Sequence, residues 1–186
     1  EWKENTKYRF SKLKNGVWEL KLKTGEIKHL DLYKLSMHWN GGHGERIPAW
    51  ATRVVQDEKT YIFSAQVWSP SRPYKFKKKK FKPQIYPLLI YECHIGMAQE
   101  EERIGSYNEF REKILPRIAK DGYNAIQIMA IQEHPYYGSF GYHVSSFFAP
   151  SSRFGTPDEL KQLIDEAHAS GIAVIMDIVH SHAVKN

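Results

Sequence analysis

Three short apolar runs constrain this chain more than anything else in it. Leu88-Leu89-Ile90-Tyr91-Glu92-Cys93, Ala125-Ile-Gln-Ile-Met-Ala-Ile131 and Ile172-Ala-Val-Ile-Met-Asp-Ile-Val179 are apolar on both faces of a strand, apart from single residues such as Asp177. Strands apolar on both faces belong to parallel sheets covered by helices. Helical segments separate them. Ser106-Tyr-Asn-Glu109 spells a capping box, and Phe110, Ile114 and Ile118 follow on one helix face. Asp121-Gly122 supplies the stop. Thr156-Pro157-Asp158-Glu159 opens a second helix, with Leu160, Leu163, Ile164 and Ala167 as its buried stripe and Gly171 as its end. The strand starts lie 37 and 47 residues apart, which suits β/α units. His94-Ile-Gly-Met after the first strand is not a phosphate-binding glycine loop, so a dinucleotide-binding fold loses its main support. A (β/α)8 barrel remains. A complete one needs about 250 residues, so this chain reads as a piece of a larger protein.

The first 74 residues have another character. Val17–Lys23 alternates, Thr60–Trp68 is a second strand candidate, and residues 40–44 (NGGHG) read as a loop. Short strands between turn residues point to an all-β module. Ser69–Pro73, the run KFKKKKFK at 75–82, Pro83 and Pro87 then read as a linker. The chain holds 27 Lys and Arg against 21 Asp and Glu, and that run contains six lysines, so without it the balance is zero. The basicity is local. It reads first as a solvated linker or a lysine-guarded edge strand, with a nucleic-acid patch as the alternative. One cysteine, Cys93, allows no internal disulfide and favours a reducing compartment. As a buried strand residue it reads as inert. No apolar run approaches a membrane span, and the first ten residues carry no apolar secretory core.

In a β/α barrel, chemistry sits at the carboxyl ends of the strands. Those ends offer Tyr91, Glu92 and His94, then Gln132, Glu133, His134 and a long aromatic loop through Gly141-Tyr142-His143, then Asp177, His180 and His182. Aromatic faces beside carboxylates and imidazoles suit sugar rings. Tyr142 is the aromatic residue that leans toward such a role; Phe147, Phe148 and Phe154 read as loop core. Asp177 with His180 and His182 admits a metal-hydrolase reading as an alternative.

Two stretches, MAIQEHPYYGSFGYHVSSFFAPSSRFGTPDELKQLID (129–165) and MDIVHSHAVKN (176–186), closely resemble the barrel of 1,4-α-glucan (glycogen or starch) branching enzymes in the α-amylase superfamily. Residues 1–82, with NGVWE, WNGG, GERIPAW and VVQDE, resemble the later strands of the immunoglobulin-like carbohydrate-binding β-sandwich that precedes that barrel. The resemblance implies a partial β-sandwich and linker at 1–82, with its first strands missing, and the first three β/α units of a TIM barrel at 83–186. It implies a transferase that cleaves α-1,4-glucan and moves the chain to a 6-hydroxyl, forming α-1,6 branches. Glycogen, amylose and amylopectin are the implied partners, with no nucleic acid, membrane, metal or cofactor, and the implied location is cytoplasmic. By the same resemblance Tyr142 stacks on the glucose at the cleavage subsite, Asp177 supports that subsite, and His182 hydrogen-bonds the same sugar. His143 stands where glutamine is usual. The nucleophile and the acid/base are expected beyond Asn186, so the isolated chain is expected to be inactive, or to act as an α-glucan-binding module without catalysis. The third strand, with nothing beyond it, is expected to expose an apolar edge and to promote self-association.

Overall fold

The computed structural model describes residues 3–78, 80–83 and 87–185. Lys79 and residues 84–86 of the expected linker lie outside the described residues.

The first region is built from short antiparallel pairs. β1 (Ser11–Lys12) and β2 (Trp18–Glu19) form a two-residue hairpin around Asn15-Gly16. The alternating run at 17–23 is thus strand over two residues only, because no partner lies opposite the rest. β3 (Leu32–Tyr33), β6 (Val54–Gln56) and β7 (Phe63–Gln66) form a sheet in the order β3-β7-β6. β4 (Leu35–Trp39) and β5 (Gly42–Arg46) form a separate hairpin. Its turn is Asn40-Gly41, with Gly41 at φ +83°, so residues 42–44 of the expected loop are strand. A small core of Ile47, Ala51, Val54 and Ala65 holds this region together, with Ala149 inserted from the second.

The second region follows the β/α pattern. β8 (Ile90–Cys93), β9 (Ala125–Ile128) and β12 (Ala173–Met176) form a parallel sheet in the order β12-β9-β8. Asn124 sets the register: its Oδ1 accepts from the Leu89 N–H at 2.8 Å and its Nδ2 donates to the Pro87 carbonyl at 2.8 Å. Between β8 and β9 runs one helical stretch, α1 (Tyr107–Glu109), a π turn (Phe110–Ile114) and α2 (Leu115–Lys120). The Ser106–Glu109 capping box is formed at its start. Pro116 lacks an N–H and its ring crowds the carbonyl four residues back, so the helix takes up an extra residue upstream of it. The Leu115 N–H accordingly donates to the Phe110 carbonyl. The buried stripe becomes Phe110, Leu115 and Ile118, and the expected Ile114 is only half-buried.

β10 (Gln132–Glu133) pairs with β11 (Ser146–Pro150), and the loop between them is the aromatic one. α3 (Pro157–Ala169) starts at a second complete capping box, Thr156 with Glu159, and buries Leu163 and Ala167. The main core lies between the helices and one face of the parallel sheet, with Phe110, Ile126, Ile128, Phe154, Leu163 and Ile172 at its centre.

Two devices join the regions. Arg53 donates to the Gly155 carbonyl, and Trp68 Nε1 donates to Asp158 Oδ1 at 3.4 Å. The lysine run is held against α3. Asp165, buried in mid-helix, accepts from the Lys77 N–H at 2.7 Å, the Lys78 N–H at 2.8 Å and the Tyr74 hydroxyl at 2.7 Å. Burial pushes the Tyr74 phenol up to about 12, and its bond to Asp165 adds to this. Phe81 stacks on His168 with ring centroids 4.1 Å apart. The described part of the run is a strap tied by its backbone rather than a free linker.

Candidate substrate-binding site

The carboxyl ends of β8, β9 and β12 converge on one patch. Residues in register alternate between faces. Cys93, Ile126, Ile128 and Val174 face the helices, and Glu92, Gln127, Ile175 and Asp177 share the other side. Gln127 Nε2 donates to Asp177 Oδ1 at 3.0 Å, and the Asp177 N–H donates to the Ile128 carbonyl at 3.0 Å. The amide donor orients the carboxylate without titrating. Gln127 is the one polar residue in the run Ala125–Ile131.

Tyr142 reaches this carboxylate from the aromatic loop. Two consecutive left-handed residues make that possible: Phe140 at φ 54° and Gly141 at φ 88°. A Cβ at Gly141 would collide with the Ala130 carbonyl oxygen, so the close approach requires glycine there. The phenol of Tyr142 is raised above its ordinary value, first by burial and then by the negative charges of Asp177 and Glu92. His143 is exposed, and its ring lies 6.4 Å from that of His182. The Val184 N–H donates to the Val144 carbonyl at 2.9 Å and ties the segment after β12 to the loop. Of the four expected residues, Tyr142 thus lies near Asp177, and His143 near His182.

Other candidates fall elsewhere. His180 stacks on Phe147 at 5.4 Å rather than joining His182. Among the described residues no three His, Cys, Asp or Glu side chains are grouped to hold a metal ion. Cys93 is buried, with burial and the charge of Glu92 pushing its thiol up to about 12, where it is a poor nucleophile. Phe154 is core, but Phe148 is 52% exposed and stacks on Trp50 at 4.4 Å. The alternation of β11 turns Ala149 into the small core and Phe148 away from it.

Glu133 is no pocket carboxylate. It is fully buried at the base of the loop, accepting from the His134 N–H at 3.1 Å and the Ser152 N–H at 2.8 Å. Burial raises its carboxyl above the ordinary range despite those bonds. Arg153 completes the base. It lies 3.6 Å from Glu133, donates to the carbonyls of His134 and Pro135, and has its guanidinium 5.8 Å from the Phe63 ring of the first region. Glu133 stood among the strand-end candidates, but its burial was not readable from the sequence, and Arg153 was not marked at all.

The arrangement presents an aromatic ring, a carboxylate and two imidazoles on an open face. That set suits a neutral, polyhydroxylated ligand, with C–H faces for the rings and hydroxyls for the polar atoms. A parallel sheet with a polar cluster at the strands' carboxyl ends is an arrangement shared by barrel-type α/β enzymes. Residues 98–186 match the family model for the alpha amylase catalytic domain. The structure also resembles the crystal structure of GBS pullulanase SAP in complex with maltotetraose. The TM-score is 0.72 at 20% identity, over 91% of this chain and 27% of that one.

The sequence relatives are more specific. The chain is 52% identical over 155 residues to the 1,4-alpha-glucan-branching enzyme of Eremothecium gossypii, covering 79% of this chain and 22% of the relative. It is 46% identical over 191 residues to that of Yarrowia lipolytica, covering 98% and 28%. The chain belongs to the α-amylase family, and the curated relatives it matches are 1,4-alpha-glucan-branching enzymes. It spans 22–28% of the length of these two relatives. Among the described residues no helix is long and apolar enough to cross a membrane.

Proposed function

We propose that this chain carries the sugar-holding part of a branching enzyme. The whole protein, a hexosyltransferase, cleaves an α-1,4-glucan such as glycogen, amylose or amylopectin and transfers the released chain to a 6-hydroxyl. The observation that carries the reading is the cluster of Tyr142 and Asp177, with Gln127 fixing the carboxylate, at the carboxyl ends of parallel strands. In this reading Tyr142 stacks on a glucosyl ring, Asp177 and His182 take its hydroxyls, and His143 contacts the neighbouring unit. Retaining transfer needs two carboxyl groups about 5–5.5 Å apart, one attacking and one protonating the leaving oxygen. We assign both to sequence following Asn186. The chemistry requires no metal or cofactor. Residues 83–186 are then the first three β/α units of the barrel, and residues 1–82 are later strands of a carbohydrate-binding sandwich and its linker. The protein acts in the cytoplasm, independently of nucleic acid and membrane. The outer edges of β8 and β12 are unpaired among the described residues, and in the isolated chain they favour self-association.

Incubating the purified chain with amylose tests the division of labour. The expected result is retained glucan binding and no new α-1,6 linkages by methylation analysis. New branches would overturn the assignment of the catalytic carboxylates to later sequence. Loss of amylose binding in the wild-type chain would overturn the site itself.

A further inference from the structure

The site does not end at His143. Tyr136 lies on its far side, with ring centroids 6.5 Å apart, and His143 lies 6.4 Å from His182. His143 thus neighbours both Tyr136 on the loop and His182 after β12, tilted at 39° to the first ring and 59° to the second rather than stacked. Tyr136 is 64% exposed. Its phenol nevertheless has a fixed seat, because it lies across the backbone of Gly138. A Cβ on Gly138 would stand 2.6 Å from the Tyr136 hydroxyl oxygen and 2.7 Å from its Cζ. The turn beneath is fastened as well: the Tyr136 carbonyl accepts from the Ser139 hydroxyl at 2.7 Å and the Ser139 N–H at 3.1 Å. An aromatic ring with one face on a glycine and the other on solvent is a preorganised platform, which lowers the ordering cost of binding.

We propose that Tyr136, seated on Gly138, is a further glucosyl-binding subsite. It extends the Tyr142–Asp177–His182 cluster along the loop and selects for longer α-1,4-glucan chains. The inference rests on reading that cluster as the sugar-holding site. On this proposal maltose fills the Tyr142–Asp177 cluster alone, and a longer oligosaccharide crosses His143 to Tyr136. Tyr136 then contributes to affinity only for chains long enough to reach it.

Calorimetric titration of the chain with maltose and with maltoheptaose tests this, using wild type, Tyr136→Ala, Gly138→Ala and Tyr142→Ala. Tyr136→Ala is expected to weaken maltoheptaose about fivefold, the scale of one ring contact, and to leave maltose unchanged. Gly138→Ala is expected to act the same way by displacing the phenol, with the side chain itself intact. Tyr142→Ala is expected to weaken both sugars. Unchanged maltoheptaose affinity in Tyr136→Ala would overturn the subsite while leaving the site at Tyr142 standing. An equal loss of both sugars in Tyr136→Ala would also overturn it, as a general disturbance of the loop. If wild type binds neither sugar, the underlying site falls and the subsite falls with it.

Discussion

The two regions of this chain hold themselves together in different ways. In the second, each strand of the parallel sheet has a helix-covered face, and large side chains such as Phe110, Phe154 and Leu163 meet in one core. In the first, three small sheets share few strand residues, the buried cluster is five small or branched side chains, and Trp18, Trp39 and Trp50 are each at least half exposed. Helix caps and apolar stripes make one region dense with local instructions. The other depends on what it leans against: Arg53 and Trp68 reach across the seam, and Ala149 comes the other way.

The largest test of that contrast is core truncation. Leu163→Ala is expected to cost about 3 kcal/mol or more, and Val54→Ala about 2 kcal/mol, in urea unfolding. A Val54→Ala loss equal to or above that of Leu163→Ala would break the comparison. The strap comes next. Asp165→Ala removes the acceptor of two backbone N–H groups and a hydroxyl, and is expected to cost about 2 kcal/mol. Trypsin cleavage within 75–82 should accelerate in the same variant. Burial works to raise the Asp165 carboxyl, but the bonds from Lys77, Tyr74 and Lys78 outweigh it and hold it below the ordinary range. Its contribution is therefore present above the unfolded-state value near pH ~4 and lost as the pH falls through it.

A milder acid sensitivity belongs to the loop base. His94 and His134 are both buried and held below the ordinary imidazole value, His94 by burial. For His134 burial is again the main cause, opposed by its bond to the Gln132 carbonyl and reinforced by the charges of Arg153 and His94. Groups with depressed imidazole values stabilise fully above pH ~6.5 and lose that contribution as the pH falls. Thermal melts should therefore decline from pH 6.5 downward, and His94→Leu should flatten the decline; an unchanged slope would refute the assignment. The smallest effect separates the regions again. Ser106→Ala should cost about 1 kcal/mol, and Asn5→Ala, whose side chain caps an exposed 3-10 turn, less than about 0.5 kcal/mol.

Sequence patterns read the second region well because its instructions are local. Both capping boxes formed, and Gly122 and Gly171 took left-handed conformations where the helices end. Two stripe residues are misplaced: Ile164 stays half-buried outside the core, and Ile114 traces to Pro116, whose effect on helix phase no periodicity count includes. Strand lengths in the first region were overread because a strand extends only as far as its partner does, and partners are a tertiary fact. At the site, Tyr142, His143, Asp177 and His182 were proposed from their wording in the chain; the structure sets Tyr142 near Asp177 and the His143 ring 6.4 Å from that of His182. Arg153 and Asp165 were not legible, and Glu133 was named only as a strand-end candidate without its burial, because a charge is buried only where other segments supply its bonds. Asp165 takes its donors from residues 87–91 positions earlier in the chain.

The strand order of the parallel sheet has a consequence for how the molecule comes into being. Each strand lies beside the strand of that sheet that precedes it in the chain, β9 on β8 and β12 on β9. No strand has to be inserted between two that are already paired. A polypeptide leaving the ribosome from its amino end can therefore lay down this sheet by accretion, each β/α unit docking on a finished neighbour. The growing margin is always the newest strand, while the outer edge of β8, unpaired among the described residues, stays open from the start.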